Sequence, residues 1–161
     1  MKRFLIIFIF SMWAELAMAG IIVTSCDGSH KAKINTKGAL LVKSDKGIEK
    51  SIKMDHNISG GLFSLDNSLL IVYGLPDKID PTYPQVMRLS VYRIGRHQRA
   101  IMNETYGGAI YKVAFSADQR FVLVENQFGI DVLNVAKKTA KSFDPAYVAE
   151  FSMQLCEAKS E

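Results

Sequence analysis

The feature that most constrains the fold is a series of three short apolar segments within residues 107–135. The segments cover residues 110–115, 121–124 and 130–135, and turn-forming residues separate them. Short runs rich in Val, Ile, Phe and Tyr, bounded by Gly, Asn, Asp and Ser, are typical of strands joined by tight turns. The stretch therefore predicts an antiparallel β-meander.

The same pattern occurs a second time. Residues 62–73 align without a gap with residues 114–125, and both copies contain a Phe-Ser-x-Asp turn. In each turn we expect the aspartate, Asp66 or Asp118, to accept hydrogen bonds from backbone N–H groups, which is a structural and not a catalytic role. Self-similarity of this kind indicates repeated sheet units, and each unit resembles one blade of a β-propeller.

The predicted fold is all-β, with antiparallel meander units that resemble an incomplete or distorted β-propeller. About three units are few for a closed propeller, so a twisted sandwich is the alternative. Residues 145–155 have spacings compatible with a short helix or with a strand. We expect strand or irregular structure there, closing the last sheet.

The first nineteen residues have the three parts of a secretory signal peptide. Lys2 and Arg3 precede an apolar run over residues 4–13, and Ala17-Met18-Ala19 forms a small-x-small cleavage site. The apolar run is shorter than the roughly 20 residues that a membrane-spanning helix needs. The sequence therefore predicts a signal peptide over 1–19, a single β-rich domain over 20–161, and export to the periplasm.

The two cysteines, Cys26 and Cys156, stand near the two ends of the predicted mature chain. An even number of cysteines in an exported protein favours a disulfide, and two free buried thiols are the alternative. Residues 23–26 also resemble a lipobox, in which Cys26 would carry a lipid anchor. The apolar run lies far from Cys26, which favours the disulfide.

Two segments are predicted to bind a partner. The first, residues 75–85, contains Pro76, Pro81 and Pro84 and must leave the sheet, because proline cannot donate to a ladder. The second, residues 103–109, has the Tyr, Asn and Gly composition of an adaptable contact surface. Each has a plainer interpretation, as a loop packed on its own domain or as a connection between blades. The predicted contact residues are Leu75, Asp77, Lys78, Ile79, Asp80, Thr82, Tyr83, Asn103, Thr105 and Tyr106.

The sequence contains no recognisable catalytic, metal or cofactor motif. His30, His56 and His97 have no His or Cys neighbour at metal-ligand spacing. The net charge of +4 comes from scattered basic residues, so nucleic acid is not expected as a partner. We therefore predict a binding protein without a cofactor; a small hydrolase whose site is assembled from distant residues stays open.

The repeated Phe-Ser-x-Asp turns, the terminal cysteine pair and the exported context resemble the β-propeller-like periplasmic immunity proteins of type VI secretion amidase effectors. The resemblance implies that the chain binds a cognate peptidoglycan amidase effector. A loop would enter the substrate groove of that effector and cover its catalytic Cys and His. The alternative is an inhibitor or scaffold for another envelope target, such as a lysozyme, anchored by a lipid if Cys26 is modified.

Overall fold

A computed structural model describes residues 20–47, 49–95 and 98–156, so the predicted signal peptide and His97 lie outside the described residues. The described residues form three antiparallel sheets of four strands each. Blade 1 contains β1 (Val23–Thr24), β2 (His30–Ile34), β3 (Ala39–Ser44) and β4 (Glu49–Lys53). Blade 2 contains β5 (Gly60–Phe63), β6 (Leu69–Gly74), β7 (Met87–Arg93) and β8 (Arg99–Tyr106). Blade 3 contains β9 (Ile110–Phe115), β10 (Phe121–Asn126), β11 (Gly129–Asn134) and β12 (Thr139–Phe143).

Each sheet is a meander in which neighbouring strands are consecutive in sequence. The first strands of the three sheets are the innermost: β1 packs against β5, and β5 contacts β9. The sheets therefore follow one another like blades around an axis. The predicted all-β fold of propeller-like meander units is confirmed.

Blade 2 lies between the other two blades, and its strand β6 contributes side chains to the cores on both sides. Side chains alternate between the two faces of a strand, so one strand can contribute to two cores. Leu69 and Ile71 belong to a core shared with blade 3. Leu70 and Val72 belong to a core shared with blade 1. This arrangement explains the unbroken apolar run in β6, because both of its faces are buried.

The Ser-x-Asp turns join the first and second strands of the blades, and they have the predicted hydrogen bonds. Ser64 Oγ donates to Asp66 Oδ1 at 2.7 Å, and Ser68 N donates to the same oxygen at 2.9 Å. In blade 3, Ser116 Oγ donates to Asp118 Oδ1 at 2.6 Å, and Arg120 N donates to it at 3.1 Å. The predicted bonds to the aspartates are confirmed.

A third copy of the Ser-x-Asp motif lies in blade 1, where the sequence predicted a turn at residues 27–29 but not its relation to the other two. Ser25 Oγ donates to Asp27 Oδ1 at 2.6 Å and accepts from His30 N at 2.9 Å. Thr24 stands where the other copies have Phe, and Cys26 occupies the variable position. The Phe-Ser pattern was therefore too strict to detect it.

The chain after blade 3 crosses all three of these turns. It is irregular, as expected, apart from a single bridge between Met153 and Ser116. Ala117 N donates to Ser152 O at 2.7 Å in blade 3. Gln154 reaches blade 2, and Cys156 forms a disulfide with Cys26 of blade 1. The predicted disulfide is confirmed, and the segment holds the three blades together at one end.

Candidate partner-binding face

The two segments predicted to bind a partner meet at one end of the sheets. Met87, where the 75–86 loop re-enters the sheet, lies opposite Tyr106, the last residue of β8. The β8–β9 connection follows Tyr106, and Ala109 O accepts a hydrogen bond from Gln127 N of the β10–β11 turn at 3.0 Å. We call this end the loop face: the 75–86 loop, the 107–109 connection and the 127–128 turn. The Ser-x-Asp turns and the chain that crosses them lie at the opposite end.

The base of the 75–86 loop is fixed to the connection between blades 1 and 2. Asn57 N donates to Leu75 O at 2.8 Å, and Asp77 N donates to Asp55 O at 2.9 Å. Arg88, just beyond the loop, forms an ion pair with Asp55. Gly74 has no side chain because a Cβ there would collide with the Asn57 carbonyl. The loop therefore leaves the sheet from a fixed base.

The outer part of the loop has its own turn. Thr82 N donates to Asp80 Oδ1 at 2.8 Å, and Tyr83 N donates to Asp80 O at 3.0 Å. The side chains of Ile79 and Tyr83 are 51% and 65% exposed. All seven residues predicted in this segment are exposed: Leu75, Asp77, Lys78, Ile79, Asp80, Thr82 and Tyr83. The structure thus places them on one accessible loop, and their contact with a partner stays a prediction.

The second predicted segment is mostly a strand, so its assignment as a loop was wrong. Asn103, Thr105 and Tyr106 belong to β8, which pairs along its length with β7. Asn103 and Thr105 are exposed, whereas Tyr106 is only 7% exposed. The polar composition misled the prediction because β8 is the outer strand of its blade, where one row of side chains faces solvent.

Two exposed aromatic residues on or beside the loop face were missed. Phe128 lies in the β10–β11 turn and is 69% exposed. Tyr111 is the extra residue of a bulge in β9, where Lys112 pairs with Glu125 and Ile110 with Asn126. A bulge redirects the side chain of the inserted residue. The available signal was a large aromatic residue in a tight turn, where Gly, Asn or Asp is usual.

A pocket of about 320 Å³ opens between blades 2 and 3 at the loop face. We call it the interblade pocket; its wall includes Glu104, Tyr106, Asn126, Phe128, Asp131 and Phe143. Asn126 Nδ2 donates to Asp131 Oδ2 at 3.1 Å. Burial and the neighbouring charge of Asp131 raise the pKa of Glu104 above its ordinary value. The pocket is therefore an acidic site with aromatic residues in its wall.

The structure also contains a buried serine–histidine pair. His56 Nε2 lies 2.9 Å from Ser90 Oγ, His56 Nδ1 lies 2.8 Å from Asn57 O, and Ser90 Oγ donates to Asn103 Oδ1 at 2.8 Å. The spacing is that of a nucleophile and its base. Both His56 and Ser90 are almost wholly buried, so this arrangement is closed to a substrate in the structure. We interpret the group as a polar network that ties blade 2 to the connection preceding it.

Across residues 20–47, 49–95 and 98–156, no cluster of three or more His, Cys, Asp or Glu side chains could hold a metal ion. In the same part of the chain, no helix has the length and apolar character needed to cross a membrane.

Comparison with known proteins gives little further information. No protein-family model and no curated protein matches the chain. One similar solved structure is a putative TolB from Agrobacterium tumefaciens, with 17% sequence identity and a TM-score of 0.28. The match covers 80% of this chain and 62% of that protein, so the chain spans less than two thirds of its length. A likeness this weak does not bear on function.

The disulfide indicates the chemical environment of the folded chain. Disulfides form and persist in oxidising compartments and are rare in the reducing cytosol. The Cys26–Cys156 bond therefore favours a location outside the cytoplasm. The same bond occupies the Cys26 sulfur, which a lipid anchor would require.

Proposed function

We propose that this chain is a periplasmic immunity protein that binds a cognate peptidoglycan amidase effector of a type VI secretion system and covers its active site. The observation that carries the proposal is the 75–86 loop, which is exposed at its tip and fixed at its base. The predicted signal peptide and the disulfide support the compartment in which such an amidase acts.

The loop has the physical properties of a binding element. Its base is held by two backbone hydrogen bonds to residues 55–57, and three prolines restrict its backbone. A loop that is ordered before binding loses less conformational entropy when it docks. Its exposed Tyr83 offers a large amphipathic surface with few rotatable bonds, as anchor residues in interfaces do.

The shape of the loop suits occlusion. Residues 78–85 lie outside the sheet, and all of them are exposed. A projecting segment fits a concave substrate groove, whereas a flat sheet surface does not. Phe128 and Tyr111 could extend the contact to the rim of the groove, because both are exposed near the same end of the blades.

The second candidate is inhibition or scaffolding of another envelope target, such as a lysozyme. The same exposed loop favours it, since an inserted loop can block many kinds of cleft. A lipid-anchored form of this candidate would require a Cys26 that is free of Cys156.

The test is a binding measurement between mature protein and purified amidase effector, with lysozyme as the second analyte. The diagnostic variant replaces residues 78–84 by Gly and Ser and keeps the fixed base at 75–77. A matched pair of point variants, Ile79→Ser on the loop and Leu65→Ser at the opposite end, controls for loss of an exposed apolar side chain.

We expect tight binding to the amidase and inhibition of peptidoglycan cleavage, both lost in the loop variant and weakened by I79S but not by L65S. Binding to lysozyme alone would select the second candidate. Failure to bind any amidase encoded beside the gene would refute the immunity proposal. Binding that survives the loop replacement would refute the role of the loop.

A further inference from the structure

The interblade pocket contains two carboxylates, those of Glu104 and Asp131. Glu104 comes from β8 of blade 2 and Asp131 from β11 of blade 3. They are close enough for the charge of Asp131 to raise the pKa of Glu104. Within the described parts of the chain, neither carboxylate forms an ion pair. Like charges held near one another in a partly buried site are unfavourable, so the fold maintains them against electrostatic repulsion.

Tyr106 adds a third polar group close to the two carboxylates. Tyr106 is more than nine-tenths buried and forms part of the pocket wall. Its hydroxyl oxygen is closed to solvent, and although it makes no hydrogen bond of normal geometry with the described residues, the Asp131 carboxylate is its interaction partner on the pocket side. Burial, followed by the charges of Asp131 and Glu104, raises the pKa of Tyr106. The pocket therefore presents two carboxylates beside a phenol whose hydroxyl oxygen is itself closed to solvent, and a donor with positive charge would complement the carboxylates.

The rest of the wall selects the kind of cation. Phe128 and Phe143 line the pocket, and aromatic faces attract organic cations. A calcium ion would require about six to eight oxygen ligands. Only two carboxylates are available here, and the Asn126 side-chain oxygen already accepts from Phe128 N at 2.8 Å. A volume of about 320 Å³ exceeds that of one cationic head group and leaves space for an aliphatic stem.

The position of the pocket indicates where the cation comes from. Phe128 belongs to the loop face, and Tyr106 pairs with Met87, where the 75–86 loop re-enters the sheet. A protein bound over that loop would therefore also cover the pocket. We propose that the interblade pocket receives a lysine or arginine side chain of the bound partner. This inference rests on the proposed function for the source of the side chain. The preference of the pocket for a cation is independent of that function.

The first experiment tests the pocket without any partner. Nα-acetyl-arginine methylamide and Nα-acetyl-lysine methylamide are titrated into ¹⁵N-labelled mature protein, and amide shifts of Gly107, Phe128 and Gly129 are followed. Nα-acetyl-citrulline methylamide, which has nearly the shape of the arginine probe without its charge, is the matched ligand control. Cadaverine, a free diamine, represents a small-molecule source of the same chemistry.

We expect saturable shifts with millimolar dissociation constants for the charged probes and none for the citrulline probe. The Glu104→Gln, Asp131→Asn double variant should weaken binding by about tenfold or more, because each lost charge-assisted contact is a strong one. Glu125→Gln, which removes an exposed carboxylate of β10 outside the pocket, should leave binding unchanged. Absence of shifts with every charged probe, or equal binding by the citrulline probe, would overturn the proposal. Cadaverine binding more than about tenfold tighter than the amino-acid probes would overturn the assignment to a partner side chain.

A stability measurement separates a binding role from a structural one. If the carboxylates serve binding, the double variant should unfold at the same or a higher temperature, since repulsion is relieved. A marked fall in Tm would show that the pair supports the fold and would overturn the proposal. The two proposals fail separately: an effector that does not bind refutes the immunity function and leaves the probe titration intact, whereas silent probes refute the pocket and leave effector binding intact.

Discussion

Gln154 carries one of the links between the terminal segment and the blades, and its removal provides the sharpest test of how the blades are held. The side chain is 9% exposed. Its Nε2 donates to Phe63 O at 2.9 Å, and its Oε1 accepts from Leu65 N at 3.2 Å. Its own backbone N donates to Phe115 O at 2.9 Å. One residue therefore bridges blades 2 and 3 while the disulfide two residues later reaches blade 1.

The magnitude for Gln154→Ala follows from the two groups left behind. Loss of a partner for the carbonyl of the fully buried Phe63 costs about 1–3 kcal/mol, the penalty for an unsatisfied buried group. Leu65 is 41% exposed, so water can replace the lost acceptor at its N–H and the cost there is below about 1 kcal/mol. The total is about 1–4 kcal/mol, which lowers Tm by roughly 3–14 °C in a domain of this size.

The assay is urea unfolding of the oxidised protein, combined with hydrogen exchange at the Leu65 amide. Gln85→Ala is the matched control, because Gln85 is exposed and its loss should change stability by less than about 0.5 kcal/mol. The reasoning is refuted if Q154A unfolds at the wild-type urea midpoint, or if the Leu65 amide keeps its protection. Either result would mean that the Gln154 side chain contributes little, and that the disulfide and the backbone hydrogen bonds to blade 3 secure the terminal segment.

Two further predictions concern the same end of the molecule. Reduction of the disulfide, or its removal by Cys26→Ser with Cys156→Ser, should destabilise the protein by about 5 kcal/mol in the chain-entropy model, because the bond closes a loop with a sequence separation of 130. An unchanged urea midpoint with and without reductant would contradict this prediction. Acid should also destabilise the fold through the Ser-x-Asp turns. Hydrogen bonds from Ser116 and from the backbone N–H of Arg120 hold the pKa of Asp118 below 3.8. At Asp66 burial raises the pKa, but hydrogen bonds from Ser64 and Ser68 outweigh burial, so the pKa of Asp66 is also lowered. Because both folded-state values are depressed, the stabilisation is present above pH 3.8 and is lost as pH falls towards the folded-state values. Urea midpoints measured from about pH 6 to pH 2 should fall, and less steeply in Asp66→Asn; an identical acid dependence in that variant would show that the turn does not contribute.

The hydrophobic pattern and the turn chemistry were sufficient to predict β5 and β6 of blade 2, β9, β10 and β11 of blade 3 and the two Phe-Ser-x-Asp turns. The polar outer strand β12 was not predicted. These are local features, because a turn is specified by residues a few positions apart and a strand by the alternation of its own side chains. The 75–85 segment was predicted to leave the sheet on the same grounds, since its prolines cannot join a ladder. The third copy was not recognised because its hydrogen bonds require Ser25 and Asp27 but no phenylalanine. In the other two copies the phenylalanine serves the packing of the blade and not the turn.

The error at Asn103, Thr105 and Tyr106 has a different cause. An outer strand obtains its order from its neighbour, and β8 is held by its pairing with β7 even though its own sequence is polar. The composition of such a strand reflects its solvent-exposed side chains and says little about its backbone hydrogen bonds to the neighbouring strand. The burial of Tyr106 depends on blade 3, which lies many residues later in the chain.

The sequence by itself determined the all-β class, the repeated units, the disulfide partners and the departure of the proline-rich segment from the sheet, because each depends on local backbone preference or on the count of two cysteines. The exposure of that segment came from the tertiary structure. Only the tertiary structure decided what the blades form together. Glu104 and Asp131 belong to different blades, and no spacing in the sequence relates them. They share the interblade pocket because blade 3 packs on blade 2 through a common apolar core, and that packing is a property of the assembled sheets.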